Sequence, residues 1–183
     1  MRDLERYPYL VAEVELLRDE VERGTPLLGV CLGGQLLAHA LGGRVERMPR
    51  RLVEWAKVER LPDADGDPLF GDLPETVTTL HWNEDCYSLP DGAVELLSPT
   101  GPGVEAFRWR DSAWGIQFHP ETDAAALDTW YADVAWLEEA GVDEQAAREA
   151  DRLHLPGQPA VAERIFGGFA RVAVRAHARS AAR

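Results

Sequence analysis

The chain has 183 residues, a length typical of a single domain with a sizeable hydrophobic core. Its 32 acidic residues outnumber its 19 basic residues, so the formal net charge is −13. Because a negative surface repels phosphate backbones and anionic lipids, we expect neither a nucleic acid nor a membrane as a partner. The composition is typical of a globular protein that acts on a small molecule.

The first predicted element is a helix, Tyr7–Arg23, with Gly24 as its C-terminal cap. Its apolar positions recur at helical spacing: Leu10, Val14, Leu17 and Val21. The continuously apolar run Leu27–Val30 follows and predicts a buried parallel strand. A second helix is predicted over Leu32–Leu41, and Gly42 ends it.

The middle of the chain is predicted to be rich in β-strands separated by Pro, Gly and Asp turns. The candidate strands are Leu52–Val58, Thr76–Leu80, Val94–Ser98, Val104–Trp109 and Trp114–Phe118. Helical spacing returns after Thr122 and places four residues on one face: Leu127, Trp130, Val134 and Leu137. A last helix is predicted over Val161–Ala178. It contains Gly167 and Gly168, for which close packing on the sheet is one explanation.

The strongest motif is Gly29-Val30-Cys31-Leu32-Gly33-Gly34-Gln35, which places a nucleophile between an apolar strand and a helix. A sharp turn of this kind strains the backbone at the nucleophile, and small neighbours let the chain pack tightly around it. The backbone N–H of Leu32 could then point at a developing oxyanion, and the helix N-terminus would favour a thiolate. The alternative is that Cys31 is a small buried hydrophobic residue.

The second motif, Trp114-Gly115-Ile116-Gln117-Phe118-His119-Pro120-Glu121, ends an apolar strand at a histidine. A nucleophilic thiol needs a base, which His119 can supply, and a carboxylate such as Glu121 can hold the imidazole in the required tautomer. A histidine at a strand end is by itself more often a capping or packing residue. The Cys31 motif reverses that preference and favours a catalytic histidine.

Together, the two motifs resemble those of the class I, or triad, glutamine amidotransferases, over roughly Tyr7 to Trp136. The most similar subgroup is the stand-alone one that resembles the amidotransferase part of GMP synthase. The resemblance implies an α/β fold with three α/β/α layers and a mixed, mostly parallel, flavodoxin-like sheet. It also implies a single domain over residues 1–183, in which 142–183 form a C-terminal helical extension.

The resemblance implies a role for several residues of this chain. Cys31 would be the nucleophile, His119 the base and acid, and Glu121 the carboxylate that orients the imidazole. Leu32 would supply an oxyanion N–H, and the implied substrate-binding residues are Gln35, Gly33, Trp82 and Asn83. Relatives in the subgroup commonly carry Trp-His-x-Asp at this last position, where Asn83 replaces the histidine. The alternative for this segment is a strand end followed by a turn.

The implied reaction is hydrolysis of the side-chain amide of glutamine through a γ-glutamyl thioester, with release of ammonia. No cofactor and no metal are expected, because no histidines show a ligand spacing such as H-E-x-x-H. The chain has neither the length for a synthetase domain nor a phosphate-binding loop, so a synthetase partner would receive the ammonia. Its two cysteines, Cys31 and Cys86, are too few for a disulfide framework and favour a cytoplasmic location, and we interpret Cys86 as structural.

Family members begin with strands, a helix and a glycine loop that supplies the other oxyanion N–H, and this block is not found before Cys31. We therefore expect a chain that is N-terminally truncated relative to the family, or a start codon placed too late. Met1-Arg2-Asp3 resembles the residues just after that loop. Since loss of one oxyanion donor typically lowers the rate about a hundred- to a thousandfold, activity of the chain as written would be reduced.

Two other functions remain open from the sequence. One is a γ-glutamyl hydrolase-type cysteine peptidase, with the same fold and triad but a γ-glutamyl amide other than glutamine as its substrate. The other is a non-catalytic interaction module derived from the amidotransferase fold. The missing N-terminal block and Asn83 favour the module, whereas Cys31, His119 and Glu121 oppose it.

Overall fold

The computed structural model describes residues 6–99 and 101–181, so the Met1-Arg2-Asp3 resemblance lies outside the described residues. The helices and strands follow in this order: α1 (Tyr9–Arg23), β1 (Leu27–Val30), α2 (Leu32–Ala40), β2 (Val45–Glu59), β3 (Thr76–Tyr87), β4 (Ala93–Leu97), β5 (Ala106–Trp109), β6 (Ala113–Ile116), α3 (Ala124–Tyr131), α4 (Val134–Ala140), α5 (Glu144–His154) and α6 (Gln158–Ala181). Two short 3₁₀ turns, Pro62–Ala64 and Leu155–Gly157, connect some of them.

The first two helices and the strand between them form where the sequence predicts, but the four residues of β1 are half-buried rather than buried. Helix α1 ends at Gly24, which has a left-handed φ of 72° and donates its N–H to the carbonyls of Glu20 and Val21. Leu10, Val14 and Val21 are the buried residues of this helix. The predicted apolar face of α1 is therefore the face that packs against the rest of the protein.

The four-stranded sheet has the order β1-β6-β5-β4. Strands β1 and β6 are parallel, whereas β5 is antiparallel to both β6 and β4. The predicted mixed α/β sheet is confirmed, but among the described strands only one pairing is parallel, because β4, β5 and β6 follow one another without a helix among the described residues between them. Strand β1 lies at an edge of the described sheet and pairs with β6 alone.

Helices cover both faces of this sheet, which gives the three layers that were predicted. On one face, Val21 of α1 and Leu37 of α2 belong to the same core cluster as Phe107 and Ala113 of the sheet. On the other face, Ile165 of α6 packs in a cluster with four buried sheet or hairpin residues: Trp114, Ile116, Leu96 and Val77. Successive residues of β6 thus face opposite layers, as the alternation of side chains along a strand requires.

Strands β2 and β3 form a separate antiparallel hairpin that is longer than predicted. The candidate strand ended at Leu80, and one of the two interpretations of the next residues placed a turn there, but pairing continues to Tyr87 opposite Val45. The residues after Leu80 continue the strand, and their burial alternates as in a strand with one buried face. His81 and Asn83 are buried, and Trp82 between them is only half-buried. A register shift between Arg47 and Leu52 lets β2 bend along this length.

The region after Thr122 contains two short helices instead of the single helical face that was predicted. Asp133 leaves the helical conformation between α3 and α4 and accepts a hydrogen bond from the N–H of Trp136. This break turns Val134 outward, where 56% of its surface is exposed, although Leu127 and Leu137 are buried as predicted. Helix α5 then packs on the hairpin and on α3: Asp151 accepts hydrogen bonds from Trp55 of β2 and from Tyr131 of α3.

Helix α6 starts three residues earlier than predicted, at Gln158, because Pro159 fits the first turn of a helix, where no N–H is needed. Its adjacent glycines differ in their surroundings. A Cβ on Gly168 would overlap the carbonyl oxygen of Pro68, whereas a Cβ on Gly167 would have only the Arg171 guanidinium at 3.5 Å. Gly168 therefore packs against the loop before Leu69 rather than against the sheet.

We expect Gly168→Ala to lower the free energy of unfolding by about 1–3 kcal/mol, because the added methyl must displace the Pro68 backbone. Gly167→Ala is the matched control and should raise that free energy by up to about 1 kcal/mol, since alanine is the better helix former. Urea denaturation followed by circular dichroism measures both. Equal stability of the two variants would contradict the close contact.

Candidate active site

Cys31 lies in the sharp turn between β1 and α2. Its φ of 49° and ψ of −107° are unusual for a residue with a side chain, and its N–H donates to the carbonyl of Ile116 at 2.7 Å. A Cβ on Gly29 would overlap the carbonyl of Gly33, and one on Gly34 would lie 2.7 Å from the carbonyl of Ile116. The strained conformation at Cys31 is held in place by this backbone packing.

The pattern suggests that Gly33 must lack a side chain, but in the structure it is Gly34 that has no room for one. A Cβ on Gly33 would meet no atom within 4 Å, so the second glycine of the Gly-x-Cys-x-Gly pattern is not needed for space. Gly34, one residue later, is the position where a side chain does not fit. Leu32 begins α2, where the first backbone N–H groups have no acceptor within the helix, and 47% of its surface is exposed.

His119 and Glu121 come together just beyond β6. The ring atom Nδ1 of His119 lies 2.7 Å from Oε1 of Glu121. The backbone N–H of His119 donates to the carbonyl of Leu80 at 2.9 Å. His119 is 8% exposed, so its imidazole is largely removed from water. The hairpin thus fixes the histidine backbone while Glu121 fixes the ring.

The imidazole of His119 interacts with the Cys31 sulfur as well as with Glu121. Burial alone would lower the pKa of His119, but the hydrogen-bonding and charge interactions with Cys31 and Glu121 outweigh it and raise that pKa from 6.5 to about 10. The Nε2 atom of His119 has no hydrogen-bond partner within the described residues, so a hydrogen bond between the imidazole and the Cys31 sulfur is not formed. Such contacts are often long before a substrate binds.

A cleft of about 460 Å³ opens onto Cys31. Its lining includes the predicted residues Leu32, Gln35, Trp82 and Asn83, together with Glu84, Asp85, Thr129, Trp130, Asp133 and Trp136. Its volume falls within the range of pockets that hold small-molecule ligands. Among the described residues, no group of three or more His, Cys, Asp or Glu side chains is arranged to hold a metal ion.

Gln35 is buried at the base of this cleft. Its Nε2 donates to the carbonyl of Asp85 at 3.1 Å and approaches Oε1 of Gln117 at 3.4 Å, while Gln117 directs its own Nε2 at the Cys31 sulfur from 3.7 Å. Asn83 is also buried, and its Nδ2 donates to the carbonyl of Asp85 at 3.1 Å. The sequence interpretation assigned no role to Gln117, although it lies inside the second motif.

Three tryptophans form one side of the cleft, and we call Trp82, Trp130 and Trp136 the aromatic wall. The ring of Trp130 contacts His119 edge to face, with 4.8 Å between centroids, and lies 5.3 Å from Trp82. Trp82 stacks on Trp136 at 5.8 Å. The sequence interpretation missed both Trp130 and Trp136 as cleft residues: helical spacing placed Trp130 on a packed face, and nothing was predicted for Trp136.

Arg51 holds the outer end of the aromatic wall. Its guanidinium lies 5.0 Å from the Trp136 ring, donates to the carbonyl of Trp136 at 3.0 Å and pairs with Glu84 and Glu139 at 2.7 Å each. Arg51 belongs to β2, Glu84 to β3 and Glu139 to α4. These contacts fasten α4 to the hairpin, and no motif in the sequence predicted them.

Comparison with known proteins agrees with this geometry. The sequence model of the glutamine amidotransferase class-I family matches residues 6–134, which contain both motifs. The chain belongs to the class I glutamine amidotransferase family. Two solved structures described as glutamine amidotransferases share its fold. That from Thermotoga maritima is 26% identical, with a TM-score of 0.80 over 93% of this chain and 72% of that chain. The structure from Methylobacillus flagellatus is 25% identical, with a TM-score of 0.77 over 90% of this chain and 70% of the other.

Two curated relatives of this amidotransferase chain bear the name GMP synthase. The glutamine-hydrolyzing GMP synthase of Thermomicrobium roseum is 38% identical over 140 residues, which cover 70% of this chain and 26% of that protein. One subunit of the glutamine-hydrolyzing GMP synthase of Halobacterium salinarum is 36% identical over 113 residues, or 61% of each chain. The chain thus spans about a quarter of the first relative's length. No helix within 6–99 or 101–181 has the length and apolar character needed to cross a bilayer.

We expect Glu121→Gln to lower the pKa of His119, because a neutral amide no longer stabilises the imidazolium by charge. The native His119 should titrate near pH 10, and the variant at a lower pH. NMR titration of the histidine ring protons measures both, with His119→Ala used to assign the signal.

Asp123→Asn is the matched control, because it removes an exposed carboxylate two residues further along. Asparagine preserves the cap that Asp123 provides to Ala126. A fall in the His119 pKa as large in this control as in Glu121→Gln would contradict a specific effect of the Glu121 contact.

Proposed function

We propose that this chain hydrolyses the side-chain amide of glutamine through Cys31, His119 and Glu121, and that the ammonia passes to a synthetase partner. The observation that carries the proposal is a cysteine in a strained turn that lines the cleft, together with a histidine that is held by a carboxylate and packs on Trp130 of the cleft lining. Membership of the glutamine amidotransferase family supports glutamine as the substrate.

The first half of the reaction forms a thioester. With a pKa near 10, His119 is protonated at neutral pH, and its positive charge stabilises the Cys31 thiolate. The sulfur attacks the side-chain amide carbon of glutamine, and the N–H of Leu32 stabilises the oxyanion. The imidazolium gives its proton to the amide nitrogen, the C–N bond breaks, ammonia leaves and a γ-glutamyl thioester remains.

The second half restores the enzyme. Water attacks the thioester carbon while neutral His119 accepts a proton from it. The C–S bond then breaks and releases glutamate, which returns the thiolate–imidazolium pair. Glu121 stabilises the imidazolium at both ends of the cycle and fixes which ring nitrogen faces the sulfur.

The remaining cleft residues take supporting roles in this proposal. Gln35 and Gln117 hold the floor of the cleft beside the sulfur, while Trp82 and Asn83 line the substrate side. Gly33 is not among the residues that line the cleft, but the space where its Cβ would lie is open, and in this proposal that space lets a substrate approach closely. The relative from Halobacterium salinarum is named as one subunit of a GMP synthase, which supports a separate protein as the ammonia acceptor.

A diazo-ketone analogue of glutamine tests the nucleophile, because it alkylates an activated cysteine in a glutamine site. We expect mass spectrometry to find one adduct, on the peptide that contains Cys31, and Cys31→Ser to abolish it. His119→Ala should slow labelling and lower the rate of ammonia release from glutamine at least about a hundredfold.

Cys86→Ser is the matched control, since Cys86 is buried and its thiol contacts the carbonyl of Glu46 instead of the cleft. This variant should be labelled like the native protein. Failure of the native protein to be labelled or to release ammonia would refute the proposed function in favour of a non-catalytic module. Labelling at Cys86 instead would refute the assignment of Cys31.

A further inference from the structure

The segment from Gln117 to His119 leaves the sheet at the end of β6 and reaches the hairpin within two residues. The backbone N–H of Gln117 donates to the carbonyl of Glu105, just before β5, at 2.8 Å. The backbone N–H of His119 donates to the carbonyl of Leu80, in β3, at 2.9 Å. The position of His119 therefore depends on how the hairpin lies against the four-stranded sheet.

A buried side-chain pair joins these two points of attachment. The Nε2 atom of His81, the residue after Leu80, lies 2.8 Å from Oε2 of Glu105. His81 is 1% exposed and Glu105 is 5% exposed, so the contact is removed from water. The His81 ring also lies 6.3 Å, centroid to centroid, from the ring of Phe118 in the middle of the segment. The pair thus links the hairpin to the sheet beside the segment that both of them hold.

Stability alone explains this pair poorly. A buried carboxylate is costly unless it is paired and hydrogen-bonded, and apolar side chains of similar volume often fill such a space at least as stably. A hydrogen bond, unlike an apolar contact, requires a particular distance and direction. The contact between His81 and Glu105 therefore fixes how the hairpin lies on the sheet, at the place from which Gln117 and His119 are held.

We propose that His81 and Glu105 are positioning residues for His119: their contact holds the hairpin on the sheet so that the imidazole keeps its place relative to the Cys31 sulfur. Neither side chain is among the described residues that line the cleft, so neither takes part in binding the substrate. The proposal rests on the roles proposed for Cys31 and His119. Loss of the contact displaces a reacting group without removing a substrate contact, and it should therefore lower kcat and leave KM nearly unchanged.

Two amide side chains at position 81 test the proposal. The amide of His81→Gln reaches close to the place of Nε2 and can still form a hydrogen bond with Glu105, whereas the shorter amide of His81→Asn cannot. We expect His81→Asn to lower kcat for ammonia release from glutamine about ten- to a hundredfold, with KM within about twofold of the native value. His81→Gln should restore most of the lost kcat.

Thr79→Val is the matched control, because it removes a buried polar group from the same face of β3. Oγ1 of Thr79 has no hydrogen-bond partner within the described residues, so this variant should keep the native kcat and KM. Gly168→Ala is the control for a general loss of stability. It should melt at a lower temperature than the native protein but keep the native kcat wherever it is folded.

Melting temperatures show whether each variant is folded at the temperature of the assay. If His81→Asn does not fold, the double variant His81→Phe with Glu105→Met takes its place, because it removes both partners and leaves no buried carboxylate unpaired. The same loss of kcat is expected from the double variant.

A native kcat in folded His81→Asn, or in the double variant that replaces it, would overturn this inference and leave the proposed function standing. Equal losses of kcat in His81→Asn and His81→Gln would also overturn it, because the loss would not follow the hydrogen bond. A raised KM at the native kcat would be equally contrary, since it would assign the pair to substrate binding. No ammonia from the native protein would defeat the proposed function itself, and this inference with it.

Discussion

Strand β1 pairs in parallel with β6 over four residues, from Leu27 opposite Ala113 to Val30 opposite Ile116. Parallel strands end at the same edge of a sheet, so the residues that follow β1 and β6 emerge side by side. Cys31 follows β1 directly, and its N–H extends the ladder by one more hydrogen bond, to Ile116. His119 lies a few residues beyond β6 and reaches the same edge. The position of Cys31 and His119 at the same edge of the sheet therefore depends on this one pairing.

The strain at Cys31 is tolerable only because the surrounding backbone leaves no alternative. Gly34 fits against Ile116, Gly29 fits against Gly33, and both contacts exclude even a methyl group. The same parallel strand pair therefore determines where Cys31 lies and which conformation it adopts. A left-handed φ at a residue with a side chain costs roughly 1–3 kcal/mol and persists where the structure over-determines it.

Sequence patterns were most informative where a local backbone requirement restricts the choice of residue. The strand–cysteine–helix arrangement and the pair His119 and Glu121 were predictable, since each needs particular residue types at fixed spacing. The length of β3 was not, because a strand with one buried polar face shows no apolar alternation, and His81 finds its partner in distant Glu105 at 2.8 Å. The break at Asp133 was equally hidden, since a capping aspartate within apolar helical spacing is indistinguishable from a surface residue.

Long-range contacts explain why the wider cleft could not be found from motifs. At the base of the cleft Gln35 contacts Gln117, which is far from it in sequence. In the aromatic wall Trp136 is positioned by a hydrogen bond from Arg51 to its carbonyl. Because Arg51 takes its acceptors from α4 and β3 together, the hairpin and α4 position each other, and the wall exists only when both are in place. Cys31 and His119 are thus positioned by the parallel strands, whereas the aromatic wall is positioned by the hairpin and α4. Since two different parts of the fold control these features, the wall of the cleft can change through hairpin and α4 residues while Cys31, His119 and Glu121 keep their geometry.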